Sequence, residues 1–332
     1  MSCILLTGGF GYIGSHTATI LAEKNQKIVV VDNFSNCKKD VIDRLEKITK
    51  QKVPYYILDI RETESLRKII EENKVESVIH FAALKSVSES LIKPLEYYDV
   101  NVKGTISLLT AMKLTGVKKF IFSSTAAVYG EPDFCPIDEK QHLKPLNPYA
   151  QTKIVIENIL KDISKADKEC SFVSLRYFNP IGSHKSGLIG DDPLSGVNSN
   201  LMPEIIKVAK GFKNYLNVFG GDYETLDGTG IRDYIHIMDL SEAHVIALDF
   251  IDKTNGINFF NIGTGRGVSV LELVKTFEIA SGVNVPIKIS NRRKGDCAIC
   301  FANPKKANDM LKWSSKYDLY QMCESAWKFV NN

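Results

Sequence analysis

The sequence predicts an α/β protein in which a parallel β-sheet is covered by helices on both faces. Short β-branched runs alternate with longer amphipathic stretches through the first half of the chain, as in such a sheet. The runs 27–32 and 119–124 are nearly continuous in apolar residues, which is typical of strands buried on both faces. We therefore expect strands near 3–7, 27–32, 53–59, 77–83, 118–124 and 171–178, and helices near 12–24, 62–73, 95–115 and 149–165.

Length and composition set the broad class of the protein. A chain of 332 residues with 44% hydrophobic content can bury a large core, and its length favours two domains. The formal net charge is only +3 and basic residues are spread along the chain, so no nucleic-acid-binding surface is expected. No stretch reaches the length of a transmembrane helix, and the N-terminus lacks the features of a secretory signal. We expect a cytoplasmic protein that binds neither nucleic acid nor membrane.

Cysteine and histidine usage bears on redox compartment and on metals. Seven cysteines are scattered through the chain, which is unlike a disulfide scaffold and fits a reducing cytosol. Cys297 and Cys300 have the spacing of zinc sites and of thiol oxidoreductases. No second cysteine pair or nearby Cys/His doublet completes four ligands, and the six histidines are widely separated, so no metal is predicted. A redox role for this cysteine pair is the less favoured alternative to a structural one.

A glycine-rich segment follows the first predicted strand and opens the first predicted helix. Residues 7–14 read TGGFGYIG and match G-x-G-x-x-G through Gly9, Gly11 and Gly14. Such glycines allow a tight turn and a close approach of backbone to a pyrophosphate, whose charge the helix N-terminus favours. The segment therefore predicts a dinucleotide site on a Rossmann-type, doubly wound sheet.

The end of the second predicted strand bears on which dinucleotide binds. That strand ends in Asp32, where a carboxylate would bind the adenosine ribose hydroxyls and repel a 2′-phosphate. NAD is therefore the expected cofactor. Lys38 and Lys39 follow closely and keep NADP open as the alternative.

The regular alternation of strands and helices stops beyond Asn179. The stretch 180–200 is rich in Gly, Ser, Asp and Pro, which indicates a long functional loop. We expect a dinucleotide-binding domain over 1–180 and a smaller, mixed α/β substrate-binding domain over 181–332. Residues 233–263 again resemble a strand and a helix, and would return to the first domain.

Three side chains at the end of the fifth strand and on the following helix suggest acid–base chemistry. Tyr149 and Lys153 lie one helical turn apart and therefore share a face of the predicted helix. A neighbouring ammonium and an oxidised nicotinamide ring would both favour the phenolate, making Tyr149 a base at neutral pH. Thr125 ends its strand at the sheet edge where open α/β sheets bind ligands, and could align a substrate hydroxyl.

With these motifs the sequence resembles the UDP-glucose 4-epimerases of the extended short-chain dehydrogenase/reductase family. The resemblance covers nearly the whole chain, and motifs of this length are highly specific together. They are TGGFGYIGSHT at 7–17, VIHFAALKSVSES at 78–90, KPLEYYDVNVKGT at 93–105, YAQTK at 149–153, LRYFNPIG at 175–182, NLMP at 200–203 and GTGIRDYIHIMDL at 228–240.

The resemblance implies a mechanism. Tyr149 would take the proton of the sugar C4 hydroxyl while C4 hydride passes to NAD, giving a 4-keto sugar that turns over and recovers the hydride on its other face. NAD would thus be a retained prosthetic group. Lys153 would hold the nicotinamide ribose and lower the tyrosine pKa. Thr125 stands where the family usually has serine, which keeps the hydroxyl.

The resemblance also carries over binding residues and an assembly. The family's members pair through two helices, here near 95–115 and 149–165, which implies a homodimer. NAD contacts, besides Tyr149 and Lys153, fall on Gly8, Gly11, Tyr12, Ile13, Gly14, Asp32, Asn33, Asn36, Asp59, Ile60, Phe81, Ala82, Ala83, Lys85 and Phe178. UDP-sugar contacts fall on Thr125, Ala126, Ala127, Tyr149, Asn179, Asn200, Leu201, Asn217, Val218, Phe219, Arg232, Arg293, Asp296 and Cys300. Arg232 and Arg293 suit a diphosphate because guanidinium gives charge-assisted hydrogen bonds.

Two departures from the family pattern bear on substrate range. Ser199 replaces the asparagine that usually precedes NLMP, so one sugar or uridine contact is expected to differ. Cys300 stands where members restricted to unsubstituted hexoses carry a bulky tyrosine. The smaller side chain predicts that UDP-N-acetylglucosamine and UDP-N-acetylgalactosamine are also interconverted, the alternative being that Cys300 only fills space.

Related activities remain as alternatives. A nucleotide-sugar 4,6-dehydratase shares the Tyr/Lys pair but carries an Asp-Glu pair where this chain has Ala126 and Ala127. A UDP-glucuronate decarboxylase also needs an acidic residue there. Net dehydrogenation would differ by accumulating NADH, and a non-catalytic NAD sensor would need no base.

Overall fold

The sheet that organises the first half of the molecule forms where the sequence predicts it. The structure, a computed structural model, describes residues 3–195, 200–293 and 295–332. Its first half contains β1 Cys3–Thr7, α1 Tyr12–Glu23, β2 Lys27–Asp32, α2 Asp40–Thr49, β3 Tyr55–Ile57, α3 Thr63–Asn73, β4 Val75–His80, α4 Val87–Ile92, α5 Pro94–Tyr97, α6 Gly104–Thr115, β5 Lys119–Thr125, α7 Pro148–Ala166 and β6 Ser171–Tyr177.

The second half adds mostly short strands and further helices. In chain order these are β7 Asn179–Ile181, α8 Leu201–Ala209, β8 Leu216–Phe219, β9 Ile231–Arg232, β10 Tyr234–His236, α9 Ile237–Ile251, β11 Gly256–Ile262, β12 Val268–Ser269, α10 Val270–Ser281, β13 Ile287–Ser290, β14 Ile299–Cys300 and α11 Leu319–Asn331. None of the helices in the described ranges is both long and apolar enough to span a bilayer.

Seven parallel strands make one sheet, and this confirms the predicted Rossmann-type fold. Their order is β11-β6-β5-β4-β1-β2-β3, with every neighbouring pair parallel. Chain order reverses between β1 and β4, which is the switch point where sheets of this kind bind ligands beyond their carboxyl ends. Residues 233–263 supply β11 at one edge of this sheet.

Alternate residues of each strand feed two separate cores. Ile4 and Leu6 face one core, which α1, α2 and α9 cover, whereas Cys3 and Leu5 face a second core under α3, α6 and α7. This division follows from the two-residue period of a strand. The buried face on each side explains why the strands are apolar throughout.

A third core lies outside the large sheet and supports the second half of the chain. It joins α8, α10 and α11 with side chains from β7, β8 and β10. Short pairs of strands surround it: β7 with β10, β8 with β13, and β9 between β12 and β14. The carboxyl ends of the large sheet thus face a less regular second region.

Local differences from the predicted elements have physical causes. The predicted helix 95–115 is divided, because residues Tyr98–Lys103 form a π-helical segment between α5 and α6. Inside it, the Asn101 side chain is fully buried and hydrogen-bonds the backbone N–H and C=O of Leu84. The predicted strand 53–59 is shortened to β3, and α2 was not predicted.

Candidate active site

The glycine turn lies between β1 and α1, and two of its positions admit no side chain. Gly8 has a φ of +67°, and a Cβ there would lie 2.6 Å from the backbone N of Ala82. A Cβ on Gly14 would lie 2.5 Å from the carbonyl oxygen of Gly8. Both approaches are below van der Waals contact, so only glycine keeps this turn. The left-handed residue is Gly8, one position before the first glycine of the matched pattern.

The start of α1 offers backbone donors to an anion. The helix begins at Tyr12 after Gly11, which carries no side chain that could cap the first amides. A Cβ on Gly11 would meet the Gly8 oxygen at 3.4 Å, which is ordinary to tight contact and not a clash. Among the described residues beyond its chain neighbours, the Gly8 oxygen is the one atom found within 4 Å of that Cβ position, so the rest of the space around it is open. The arrangement fits the pyrophosphate of a dinucleotide.

Asp32 connects the end of β2 to the glycine turn. Its carboxylate accepts the N–H of Phe10 at 3.0 Å and that of Phe34 at 2.9 Å. Burial raises the pKa of Asp32, while these hydrogen bonds lower it. A carboxylate has about four acceptor sites, so capacity remains for ribose hydroxyls. Lys38 nearby holds its ammonium 2.8 Å from Asp192.

The outer edge of the predicted cofactor site is polar. Asp59 lies two residues beyond β3 and makes paired hydrogen bonds of 2.9 and 2.7 Å with the Arg61 guanidinium, which lowers its pKa. The Asn33 amide lies 3.5 Å from the Asp59 carboxylate, Asn33 and Asn36 are exposed, and Ile60 is buried. The Asp59 carboxylate is therefore engaged by Arg61, a partner that sequence reasoning did not assign.

The segment after β4 packs against the backbone of the glycine turn. The N–H groups of Phe81 and Ala82 both donate to the Thr7 carbonyl, at 2.9 and 3.0 Å. Ala83 is half-buried and Lys85 is exposed. These four predicted contacts thus follow β4 at the same sheet edge as Gly8.

Thr125, Tyr149 and Lys153 meet beyond the carboxyl end of β5. Thr125 is the last residue of β5, and Tyr149 lies in the first turn of α7, whose N-terminus the Asn147 side chain caps. The Lys153 ammonium lies 5.8 Å from the centre of the Tyr149 ring and donates to the Ser123 carbonyl at 2.8 Å. The structure therefore brings together the three residues that sequence reasoning singled out.

Burial shifts the pKa values of the tyrosine and the lysine in opposite directions. It raises the pKa of Tyr149 to about 12, against a lowering by a hydrogen bond with Thr125. It lowers the pKa of Lys153 to about 7, against a raising by Glu157. The polypeptide by itself thus opposes the phenolate, whereas the sequence argument expected a lowered tyrosine pKa. A positive charge beside the ring is needed to reverse this.

A buried ionic network lies beneath Lys153 and was not found from the sequence. Glu157 follows Lys153 by one turn on α7 and accepts hydrogen bonds from the Arg176 guanidinium at 2.6 and 2.9 Å. It also accepts the hydroxyls of Ser124 and Ser174, each at 2.8 Å. The network joins α7 to β5 and β6, so it fixes the helix that carries the tyrosine. A charged residue on the buried face of that helix was the available signal.

Asn101 was also missed. Besides Leu84, its amide donates to the Thr152 hydroxyl at 3.1 Å, which ties the π-helical segment to α7 beside Lys153. The side chain is 0% exposed. It therefore acts as a positioning group for the segment 81–85. The sequence feature that could have indicated it is a polar residue inside a predicted helix, here one that contacts both the segment at Leu84 and α7.

Several predicted substrate contacts, together with the predicted NAD contact Phe178, lie near the three candidate catalytic residues. Ala126, Phe178 and Cys300 pack in one apolar cluster next to Thr125. Ala127 follows in the 3-10 turn Ala126–Tyr129, and Asn179 is exposed at the start of β7. Cys300 lies opposite Arg232 in the parallel pairing of β14 with β9. Cys300 therefore lies between predicted substrate contacts, beside Arg232 and the cluster that contains Ala126.

The remaining predicted contacts form an outer group. The Arg293 guanidinium lies 5.1 Å from the centre of the Phe219 ring and 2.9 Å from the Asp296 carboxylate. Asn217 is exposed, whereas Val218 is 1% exposed in the third core, which leaves only its backbone to contact a ligand. Asn200 and Leu201 lie at the N-terminus of α8. Ser199 lies outside the described residues.

Metal ligation is not supported by the described part of the chain. Within residues 3–195, 200–293 and 295–332, no group of three or more His, Cys, Asp or Glu side chains is placed to hold a metal ion. All seven cysteines are free thiols.

The chain is similar to known proteins over nearly its whole length. The family model described as GDP-mannose 4,6 dehydratase matches residues 5–326. The UDP-glucose 4-epimerase of Bacillus subtilis (strain 168) is 49% identical over 329 residues, covering 99% of this chain and 97% of that protein.

Two solved structures are similar along their whole length. A UDP-glucose-4-epimerase from Stenotrophomonas maltophila, with bound NAD and formylated UDP-arabinopyranose, has a TM-score of 0.97 at 44% identity, covering 100% of this chain and 98% of that chain. The UDP-Glc/GlcNAc 4-epimerase from Campylobacter jejuni has a TM-score of 0.87 at 37% identity, covering 100% and 99%. With these matches, the chain belongs to the UDP-glucose 4-epimerases of the extended short-chain dehydrogenase/reductase family.

Proposed function

We propose that this protein interconverts UDP-glucose and UDP-galactose by inverting the sugar C4 hydroxyl with a retained NAD. Residues 1–180 with 233–263 would hold NAD, and the rest of the chain would hold the UDP-sugar. The observation that carries the proposal is the meeting of Tyr149, Lys153 and Thr125 at the carboxyl end of β5, on the same sheet edge as the glycine turn that follows β1. Ligands of open α/β sheets bind at this edge.

The residues around the turn fit NAD. Bound NAD would supply a reversible acceptor for the hydride of the sugar C4, so that a 4-keto sugar would form transiently. The close backbone at Gly8 and Gly14 and the start of α1 would hold the pyrophosphate. Asp32 would bind the adenosine ribose and repel a 2′-phosphate. The Lys38 ammonium is paired with Asp192, which favours NAD over NADP.

Tyr149 would remove and return the proton of the C4 hydroxyl at its phenolic oxygen. Thr125 would hold that hydroxyl, and its side chain lowers the pKa of the tyrosine. Lys153 uses one of its three N–H donors on the Ser123 carbonyl, which leaves two for a ribose. Because burial raises the pKa of Tyr149, a protonated Lys153 and an oxidised nicotinamide would be needed to favour the phenolate.

The diphosphate of the substrate would lie between the two regions. Arg232 is half-buried at the substrate side, and Arg293 is exposed and oriented by Asp296. Guanidinium groups form paired, charge-assisted hydrogen bonds with phosphate oxygens. Both arginines would therefore bind the UDP moiety, with Phe219 beside Arg293 contributing an aromatic face.

The substrate range is proposed to include N-acetylated sugars. Cys300 packs in the cluster with Ala126 and Phe178, where a larger aromatic side chain would take up space on the sugar side. UDP-N-acetylglucosamine and UDP-N-acetylgalactosamine would therefore also be interconverted. A relative with both activities in its name, that of Campylobacter jejuni, supports this extension.

The test is to incubate the purified protein with UDP-galactose, or with its N-acetylated counterpart, without added NAD. We expect UDP-glucose and UDP-N-acetylglucosamine to form while no NADH accumulates. Stoichiometric NADH would instead indicate net dehydrogenation, and a 4-keto-6-deoxy product would indicate a dehydratase. Background turnover of the acetylated pair beside active UDP-galactose conversion would reject the wider range.

We also propose a cytoplasmic homodimer. Large apolar side chains on α4 and α5 are exposed, with Leu91 at 60%, Ile92 at 81% and Leu95 at 83%. They lie next to the helices through which the family's members pair, and exposed apolar patches mark interfaces. Light scattering after gel filtration should give twice the mass of one chain, and a monomer at micromolar concentration would contradict it.

A further inference from the structure

A buried carboxylate lies at the end of the strand that carries Arg232. Asp233 directly follows β9, and it is 0% exposed. Burying a carboxylate is costly unless hydrogen bonds compensate for the lost water. The proposed epimerisation uses Arg232 and assigns no role to the residue that follows it.

The Asp233 carboxylate accepts four hydrogen bonds, two at each oxygen. Its Oδ1 accepts the backbone N–H and the hydroxyl of Thr264, at 2.8 and 2.7 Å. Its Oδ2 accepts the N–H groups of Gly265 and Ala302, at 3.0 and 3.1 Å. An ionised carboxylate has about four acceptor sites, so these donors match its full capacity. Burial raises the pKa of Asp233, while the hydrogen bonds lower it.

The donors belong to the two strands that flank β9. Residues 264–265 precede β12, which runs antiparallel to β9, and Ala302 follows β14, which runs parallel to it. Arg232 pairs with Cys300 of β14 on one side and with β12 on the other. The Asp233 carboxylate thus ties both flanking strands to the chain immediately after Arg232.

The backbone of Asp233 reaches a further predicted substrate contact. Its carbonyl oxygen accepts the N–H of Asn179 at 2.9 Å, at the start of β7. The carboxylate is closely packed, because a Cβ on Gly263 would lie 2.6 Å from its Oδ2. Asp233 is therefore bound to segments that lie next to, or contain, Asn179, Arg232 and Cys300.

We propose that Asp233 is a positioning residue for the UDP-sugar, acting through Asn179, Arg232 and Cys300. This role rests on the proposed function, because those three residues are its proposed substrate contacts. Guanidinium binding to phosphate has a demanding geometry, and a displacement of about 1 Å can cost on the order of 10²-fold. Loosening the strands beside Arg232 should therefore weaken substrate binding more than it affects the proton transfer at Tyr149.

The test is Asp233→Asn in the full chain. The amide keeps one oxygen and turns an NH2 group toward the donors that the other oxygen accepted. We expect the dissociation constant of UDP, measured by calorimetry, and KM for UDP-galactose both to rise by about 10-fold to 100-fold. At saturating substrate kcat should stay within a few-fold of the wild type, and bound NAD should be retained.

Asp239→Asn is the matched control for a change at a buried carboxylate. Asp239 is 1% exposed and accepts the N–H groups of Lys316 and Tyr317, at 2.9 and 3.1 Å. These donors lie beyond Cys300, the last predicted UDP-sugar contact along the chain. The control should lower the unfolding free energy and leave the UDP affinity unchanged. Equal losses of UDP affinity in the two variants, or an unchanged affinity in Asp233→Asn, would overturn the proposal.

A second pair of variants decides the question if Asp233→Asn does not fold. Thr264→Val removes the hydroxyl that donates to Oδ1 and nearly keeps the shape of the side chain, whereas Thr264→Ser keeps the hydroxyl. Thr264→Val should raise KM and the UDP dissociation constant several-fold, and Thr264→Ser should give wild-type values. Wild-type values for Thr264→Val would contradict positioning by the carboxylate.

Measuring UDP binding directly separates this inference from the proposed reaction. A wild-type protein that binds UDP but does not epimerise UDP-galactose would contradict the proposed function. The UDP affinities of the Asp233 and Thr264 variants would in that case still decide whether the carboxylate positions the binding residues.

Discussion

The proposed cofactor side and the proposed substrate side of this site are held in different ways. Beyond β1 and β5, contacts are buried: a Cβ on Gly14 would clash at 2.5 Å, and Lys153 is 3% exposed. On the substrate side Phe219 is 40% exposed, and Arg293 is held by one exposed ion pair. Buried contacts with no spare volume tolerate few substitutions, whereas exposed groups shift at little cost. We therefore expect all-or-none effects on the first side and graded effects on the second.

The strongest test of this contrast is Tyr149→Phe. Removing the phenolic oxygen removes the proposed base while the ring still fills its place, so kcat should fall by about 10²-fold to 10⁴-fold. Bound NAD, measured by absorbance after denaturation, should remain. Epimerisation at the wild-type rate by this variant would show that the tyrosine is not the base. It would also contradict the expected all-or-none effect on the buried side of the site.

Glu157→Gln tests the buried network under the catalytic helix. The Arg176 charge would lose its carboxylate in a place where the two side chains are 3% and 0% exposed. Removing one partner of a buried pair costs about 3–5 kcal/mol of unfolding free energy. Glu204→Gln is the matched control, because Glu204 pairs with Lys207 and Lys213 nearer the surface of the second region and should cost at most about 1 kcal/mol. If urea titrations give equal losses of unfolding free energy for the two variants, burial does not distinguish the two ion pairs.

What the sequence could and could not predict follows the same division. The buried strands were predictable because apolar runs such as 27–32 reflect two covered faces. The helix α2 was missed because only Leu45 and Thr49 of it are buried, which leaves a mostly polar segment. The Glu157 network was missed because its partners Ser124 and Arg176 come from two other strands.

The site residues show a further limit. Tyr149 and Lys153 were predictable because one helical turn fixes their relation. The resemblance assigned NAD and UDP-sugar contacts to residues but not to particular atoms. The Val218 side chain lies in the third core, and the Asp59 carboxylate pairs with Arg61. Such facts depend on packing between distant segments, which a local pattern does not contain. The pKa of Tyr149 likewise depends on burial that the spacing to Lys153 does not reveal.

The stability of the cofactor side should depend on pH through Lys153. Burial lowers its pKa from 10.5 to about 7, so between those values the unfolded chain carries a proton that the folded chain has released. The unfolding free energy then rises with pH across this window, by up to about 1.4 kcal/mol per pH unit. Lys153→Met removes this contribution. At equal NAD content, the unfolding free energy of the wild type minus that of the variant should therefore increase from pH 7 towards pH 10. A difference that stays constant over that range would contradict the lowered pKa of Lys153.

The smallest effect is expected from Cys300→Tyr, on the substrate side. Cys300 is half-buried and packs beside Ala126 and Phe178, so a tyrosine ring would extend from β14 toward the sugar. Loss of room for an acetamido group should lower kcat/KM for UDP-N-acetylgalactosamine by about 10-fold to 200-fold, the range of a changed fit in a pocket. UDP-galactose turnover should stay within a few-fold because the buried side of the site is unchanged. Cys297→Tyr is the control for bulk near the same strand and should leave the ratio of the two substrates as it is. If Cys300→Tyr instead lowers both substrates equally, its side chain supports the wall of the site without selecting between sugars, and the substrate side is as constrained as the cofactor side.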